Sequence, residues 1–194
     1  MKPIPVLDNG HGGMMGGVYQ TKGKRYTFAD GTTIFEGEFN RAIKARVIEL
    51  LTAKNIPFYD LVPEQKDIRR STRIARADYL YKKHRKQTFL VSIHSNAGKG
   101  KGSEVFICHG ASKRSKRLAL LTSRLFETHF PESKFRGIKR KDFDIIALPL
   151  CPAILVECFF MDNKAEVLKY LLPKQGRDRI AAWMVDIIEQ FRNL

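Results

Sequence analysis

The sequence predicts an α/β domain with a largely parallel sheet. Three observations carry this reading. Five short runs, at residues 3–7, 56–62, 89–94, 104–108 and 153–158, are apolar and mostly β-branched or aromatic. Longer stretches between them carry apolar residues at helical spacing. The two kinds alternate along the chain, as strands joined by crossover helices do. Several of the runs have the continuous apolar character of strands covered on both faces.

The elements follow in order. Residues 3–7 form the first strand. Gly12, Gly13, Gly16 and Gly17 then suggest a mobile loop, and residues 24–28 and 32–35 alternate around Ala29-Asp30-Gly31 as a β-hairpin does. Over residues 36–53, Phe39, Ile43, Val47 and Leu50 share one helical stripe. The strand at 56–62 leads to a heavily basic helix over 68–86, with Ile74, Ala77 and Tyr81 at helical intervals. After the strands at 89–94 and 104–108, Leu118, Leu121 and Leu125 mark a third helix. Residues 135–150 are mixed and fit no single element. The strand at 153–158 precedes a C-terminal helix carrying Ile180, Met184, Ile187 and Phe191.

Composition bounds the function. A hydrophobic content of 43% with 28% charged residues is that of an ordinary globular domain. No apolar run approaches the roughly 20 residues of a membrane helix. The first residues lack the apolar stretch of a signal peptide, so synthesis in the cytoplasm is expected, with export by another route. Three cysteines without a CxxC pair argue against a disulfide framework or a cysteine zinc finger. Thirty-five basic against twenty acidic residues leave a charge of +15. Such a field attracts polyanions, whether nucleic acid, anionic lipid or an anionic cell-wall polymer, and equally suits a solvated lysine-rich surface.

Four positions carry candidate chemistry. His11 sits in Asp8-Asn9-Gly10-His11-Gly12-Gly13, directly after a strand, where flanking glycines leave the imidazole unobstructed. The spacing matches neither phosphate-loop nor dinucleotide fingerprints. His94, in Ser92-Ile93-His94-Ser95-Asn96, closes another strand, at the edge where open α/β sheets bind ligands. Glu36 lies three residues before Phe39 and seven before Ile43, on the buried stripe, whereas Glu38 groups with Arg41 and Glu49 toward solvent. A carboxylate on a buried stripe needs a partner or a cation. Glu157 ends the apolar run from Ala153, where burial raises a carboxyl pKa toward neutrality. Strand alternation turns the neighbouring Cys158 to the other face. Each residue also has an ordinary reading: a turn or core histidine, a glutamate favoured at a helix start, a buried salt-bridge partner. Together, two histidines, one glutamate ligand and a separate glutamate have the composition of a catalytic zinc site. His84, His109 and His129 lack such a context.

At these residues the chain resembles the zinc-dependent N-acetylmuramoyl-L-alanine amidases of bacterial cell-wall turnover and phage endolysins. The resemblance rests on the Asp8–Gly13 segment, on Glu36 with Asn40 four residues later, and on Ser92-Ile93-His94-Ser95-Asn96-Ala97. It extends to Arg136-Gly137-Ile138-Lys139 and Pro152-Ala153-Ile154-Leu155-Val156-Glu157. It implies a phosphorylase/hydrolase-like fold, a twisted, mixed but mostly parallel sheet of about six strands flanked by helices. It implies one Zn2+ per chain held by His11, Glu36 and His94, with Glu157 as catalytic acid/base. Asn96, Arg136 and Gly137 are expected to contact substrate. The implied reaction is hydrolysis of the amide between N-acetylmuramic acid and L-alanine in peptidoglycan, by a zinc-activated water that gives its proton to Glu157.

Residues 1–194 are expected to form one catalytic domain acting on the cell wall, with residues 24–35 a candidate inserted hairpin and no separate wall-binding domain; the sequence does not fix the oligomeric state, and a monomer is the default. A free catalytic domain of such charge looks more like a phage or prophage lysin than a secreted autolysin. Cys158-Phe159 replaces the Thr/Ser-Gly usual in the family, which suggests a bulkier pocket wall. Two other functions fit less of the pattern: a related zinc hydrolase acting on another amide, and a basic nucleic-acid-binding protein using the helix around residues 69–86.

Overall fold

Strands and helices alternate as expected, and the order of the strands in the sheet explains where the ends of the chain's apolar runs meet. The computed structural model describes residues 2–194. Strand β1 (Ile4–Asn9) is followed by two small hairpins, β2–β3 (Met14–Met15, Val18–Tyr19) and β4–β5 (Arg25–Thr27, Thr33–Phe35), and then by helix α1 (Glu36–Ala53). Next come β6 (Tyr59–Asp60), α2 (Arg70–Lys83), β7 (Thr88–Asn96), β8 (Ser103–Ile107) and α3 (Lys113–His129). The chain ends with β9 (Phe135–Arg140), α4 (Asp144–Ala147), β10 (Ala153–Phe160), α5 (Lys164–Glu166), a π-helical turn (Val167–Leu171) and α6 (Lys174–Arg192).

The six-stranded sheet runs β6-β1-β7-β10-β8-β9. Strands β6, β1, β7 and β10 are parallel, β8 is antiparallel to β10, and β9 is parallel to β8. The sheet is therefore mixed, with one reversal. Alternating side chains divide the core in two. Leu7, Phe89, Val91, Ile93, Ile154 and Val156 pack with the apolar residues of α1, α3 and α6. Val6, Leu90, Ala153 and Leu155 pack with Ala77 of α2 and Ile145 and Ile146 of α4. Burial of both faces is what made these strands read as unbroken apolar runs. Among the described residues no helix is long and apolar enough to cross a membrane.

Several sequence expectations are corrected. The run at 56–62 holds only a two-residue strand, because its place at the sheet edge gives it one neighbour, β1. The buried stripe of α1 continues from Val47 to Leu51 by steps of four, and Leu50 is exposed. The glycines expected to form a mobile loop instead frame the β2–β3 hairpin, with Gly12 and Gly13 buried and Gly16 and Gly17 at positive φ in its turn. Residues 135–150 resolve into β9 and the short α4.

The expected bulky pocket wall is also absent. Cys158 and Phe159 are fully buried in the α1/α3/α6 core, away from the cleft described below. The register of β10 against β7 shifts between Glu157 and Phe160, and Phe159 adopts φ 61°, a left-handed conformation that favours glycine. The ring holds that conformation by packing. It stacks on Tyr170 at 4.1 Å between centroids and meets Phe130 at 5.2 Å, in a cluster with Phe126 and Trp183. Left-handed strain of this kind amounts to about 1–3 kcal/mol, whereas emptying a buried aromatic site typically costs about 3–5 kcal/mol. Phe159→Gly should therefore destabilise the fold despite relaxing the backbone, by about 2 kcal/mol or more in urea unfolding; a variant more stable than the parent would contradict this balance.

Candidate metal centre

Two tiers of buried polar groups occupy the edge of the sheet where β1, β7 and β10 end. The lower tier is an ion pair inside the protein. Asp8, fully buried in β1, accepts from Arg73 Nη1 of α2 at 3.0 and 3.1 Å and from Ser92 Oγ of β7 at 2.6 Å. Asp8 and Ser92 are register partners, so the pair ties two central strands to the helix above them. Removing one member of such a pair leaves an uncompensated charge, at a cost of about 3–5 kcal/mol.

The upper tier is the candidate site. Glu36, the first residue of α1, is only 2% exposed. Its Oε1 lies 2.9 Å from His94 Nδ1 and 3.3 Å from His11 Nε2. The two imidazoles meet edge to face with centroids 5.1 Å apart. One ligand atom from each residue lies within 4.8 Å of the others. His94 stands on the α2 face of β7, His11 follows β1, and Glu36 arrives on the helix that packs the opposite face. Donors therefore converge on the sheet edge from both sides.

Close backbone approach makes room for them. A Cβ on Gly10 would lie 2.0 Å from the His94 ring, and one on Gly37 would lie 2.0 Å from the carbonyl oxygen of Gly12. His11 itself adopts φ 70°, held by Arg41 Nη2 donating to its carbonyl at 3.0 Å. Asn40 donates to the Gly10 carbonyl at 3.0 Å, so the glutamate-to-asparagine spacing serves to bind α1 to the histidine loop. Two imidazole nitrogens and one carboxylate oxygen, converging on a cleft with one side open, fit a divalent cation of the zinc type.

Glu157 occupies the same cleft, of about 340 Å³, with Asn96 and Lys24 also in its lining. It is the register partner of His94 in β7 and of Glu104 in β8. The two carboxylates are driven in opposite directions. Burial would raise the Glu36 pKa, but hydrogen bonds from His11 and His94 outweigh it and hold the group well below the usual range. Burial raises the Glu157 pKa to about 7; His94 opposes this, and the charges of Glu36 and Glu104 add to it. One oxygen of Glu157, Oε2, is buried without a hydrogen-bond partner among the described residues. A carboxyl group poised near neutrality with a free lone pair can take up and return a proton.

The structure brings His11, Glu36, His94, Asn96 and Glu157 together. Arg136 and Gly137 do not line the cleft. Arg136 meets it indirectly, donating through Nε to Glu104 at 2.8 Å, while Gly137 bends β9 at φ 103°. His84, His109 and His129 pair with Tyr59, Asp142 and Asp186, away from the site. Within the basic helix, Arg73 forms a buried pair with Asp8, while Arg70 and Arg76 pair with Asp144 and Glu64 nearer the surface.

Sequence reasoning missed Lys24 and Glu104. The Lys24 ammonium is 3.9 Å from Glu36 Oε2. Its carbonyl accepts from Glu36 N at 3.0 Å and from Tyr19 Oη at 3.0 Å, and that phenol oxygen in turn accepts from Gly37 N at 2.8 Å. Burial pushes the Tyr19 phenol up to about 12. Lys24, in the segment between the two hairpins, thus lines the cleft, a placement that no local pattern announces. Glu104 had a signal, a carboxylate opening an apolar strand, which is the pattern that singled out Glu157 at a strand's end.

A mixed α/β sheet thus carries at its edge a His-Glu-His cluster that could hold a metal ion, beside a separate, half-buried glutamate. The family model described as N-acetylmuramoyl-L-alanine amidase matches residues 6–190, and the chain belongs to that family. Its enzyme class is accordingly that of a peptidoglycan amidase. Among solved structures, the catalytic domain of the amidase CwlV from Bacillus (Paenibacillus) polymyxa is 23% identical, with a TM-score of 0.80 over 100% of this chain and 99% of that one. An N-acetylmuramoyl-L-alanine amidase from Clostridium difficile 630 is likewise 23% identical, with a TM-score of 0.81 over 100% and 98%. The catalytic domain of the endolysin CD27L, which targets Clostridia difficile, is 20% identical, with a TM-score of 0.70 over 97% of each chain. At these identities the structures share the fold. No curated protein sequence matches the chain significantly.

The close approach at Gly10 generates a prediction. In Gly10→Ala the added methyl displaces the His94 ring from Glu36. The protein should fold, with circular dichroism unchanged, yet bind zinc at least about 10-fold more weakly in a competition titration. Zinc affinity equal to the parent's would show that the ring is not a ligand.

Proposed function

We propose that this chain hydrolyses the amide between the lactyl group of N-acetylmuramic acid and L-alanine of the stem peptide, using one Zn2+ held by His11, Glu36 and His94. The observation that carries the reading is the convergence of both imidazoles on one buried oxygen of Glu36, beside Glu157 with its unpartnered oxygen. When bound, the metal supplies Lewis acidity to the scissile carbonyl and to water. Glu157 accepts the proton of the attacking water as the new C–O bond forms. It then delivers that proton to the amine nitrogen as the C–N bond breaks, leaving a lactyl carboxylate and a peptide with a free N-terminal alanine. Glu36 and the two imidazoles keep their orientation through the contacts of Gly10, Asn40 and Gly37 and contribute no proton.

Residues 1–194 act in this reading as one catalytic unit, a monomer, with hairpin 24–35 forming a wall of the cleft. The charge of +15 favours residence on an anionic cell wall, as a lysin requires.

Purified cell walls test the proposal directly. Free N-terminal alanine should appear without new reducing sugar, vanish on chelation and return with zinc. Glu157→Gln should retain stoichiometric zinc and lose activity by about 10²–10⁴-fold. His11→Ala should lose metal and activity together. Activity that survives both chelation and Glu157→Gln would overturn the mechanism, and release of sugar ends instead of alanine would overturn the substrate bond.

A further inference from the structure

We propose that Glu104 is a positioning residue that locks the side-chain amide of Asn96 in one orientation, so that Asn96 offers a single N–H donor to a neutral carbonyl oxygen of the substrate. The proposal rests on the amidase reading above for the identity of the substrate.

Glu104 is buried, on the same sheet face as Glu157 and directly opposite it in the β8–β10 ladder. Its two oxygens are divided between two partners. Oε1 accepts from Asn96 Nδ2 at 2.8 Å, and Oε2 accepts from Arg136 Nε at 2.8 Å. The Arg136 guanidinium is held from a second side over the Phe160 ring, 5.0 Å from its centroid. The carboxylate is thereby fixed in place by an ion pair that is itself clamped.

The consequence falls on Asn96. A carboxylate only accepts hydrogen bonds, so the amide nitrogen must face Glu104. At the other end, Asn96 Oδ1 accepts from Ala97 N at 2.8 Å. Flipping the amide would set oxygen against carboxylate and NH2 against N–H, losing both bonds. One Nδ2 hydrogen remains, in the cleft that also holds His94 and Glu157. With carboxylates at 104 and 157 nearby, an anionic group is disfavoured there. A neutral amide carbonyl, abundant in a muramoyl peptide, is the fitting acceptor.

Steady-state kinetics on a soluble muramoyl-peptide, with zinc-loaded protein, tests this. Asn96→Ala should raise KM about 3–10-fold with kcat within about twofold, as loss of one neutral hydrogen bond does. Glu104→Gln, isosteric but able to present either N–H or oxygen to Asn96, should raise KM similarly with zinc content unchanged. The double variant should be no worse than the worse single, because both remove the same contact. A Glu104→Gln variant with parental KM, or a double variant whose effects multiply, would overturn the proposal. So would a lowered melting temperature with KM unmoved, which would leave Glu104 a purely structural group. The side-chain amide NMR resonances of Asn96 give a reading independent of turnover. They should be a single set in the parent and shift or double in Glu104→Gln, and unchanged resonances would refute the lock. If the parent protein releases no alanine amine, the amidase reading fails, while the resonances still decide whether Glu104 orients Asn96.

Discussion

A carboxylate driven into the protein interior at the start of a helix is the constraint on which the site depends. Glu36 is carried inward by the apolar stripe that follows it: Phe39, Ile43, Val47 and Leu51 commit α1 to the sheet, and the first turn goes with them. A buried carboxylate without partners is too costly to persist. Its surroundings are arranged to supply them. His94 reaches it from the end of β7, where Gly10 leaves the ring its space. His11 reaches it from a loop in a left-handed conformation, secured by Arg41 and Asn40. Lys24 approaches its second oxygen from the segment just before β4, and Tyr19 of β3 is bound to the same helix start. Three separate segments of chain are ordered around one side chain.

The same edge holds a second, half-buried carboxylate treated in the opposite way. Glu36 is surrounded by donors and stays charged; Glu157 is surrounded by strand and by other acids, and its pKa rises to about 7. Two chemically identical groups thus acquire opposite proton affinities from their environments alone. The difference is visible in hydrogen bonding before any titration is considered. Both imidazoles meet at Glu36 Oε1, while Glu157 Oε2 is buried with nothing to bind. Such an unsatisfied atom would be a liability in a purely structural position. In the amidase reading proposed above, it is the free lone pair that proton transfer would use.

Much of this was legible in the sequence, and the parts that were not share a cause. Helix phase separated Glu36 from the exposed Glu38, and strand alternation sent Cys158 to the core, because both follow from periodicity within one element. The Asp8–Arg73 pair spans 65 residues and joins a strand to a helix, so no local pattern announces it. Arg73 read as one more charge on a basic helix, yet it is buried. Leu50 was misplaced by a single position, since a stripe advancing by fours reaches Leu51 after Val47. Residues 56–62 were overread as a full strand because an apolar run does not reveal that its place is at the sheet edge. Phe159 shows the limit of motif comparison. A bulky residue where the family carries glycine suggested a crowded pocket, but the β10 irregularity turns the ring into the aromatic core.

The reversal of β8 extends the site sideways. Parallel strands β7 and β10 bring His94 and Glu157 to the edge near their C-terminal ends. An antiparallel neighbour must contribute from its beginning, and Glu104 is the second residue of β8. Strand β9, parallel to β8, follows the same logic and supplies Arg136 from its own start. The result is a row across four strands: imidazole, carboxyl, carboxylate, guanidinium. Within it, Arg136 answers the charge of Glu104, and Asn96 takes up the remaining Glu104 oxygen. Nothing in the row donates to Glu157 Oε2. The single reversal therefore sets a second, anchored acid next to the first and leaves Glu157 Oε2 without a hydrogen-bond partner among the described residues.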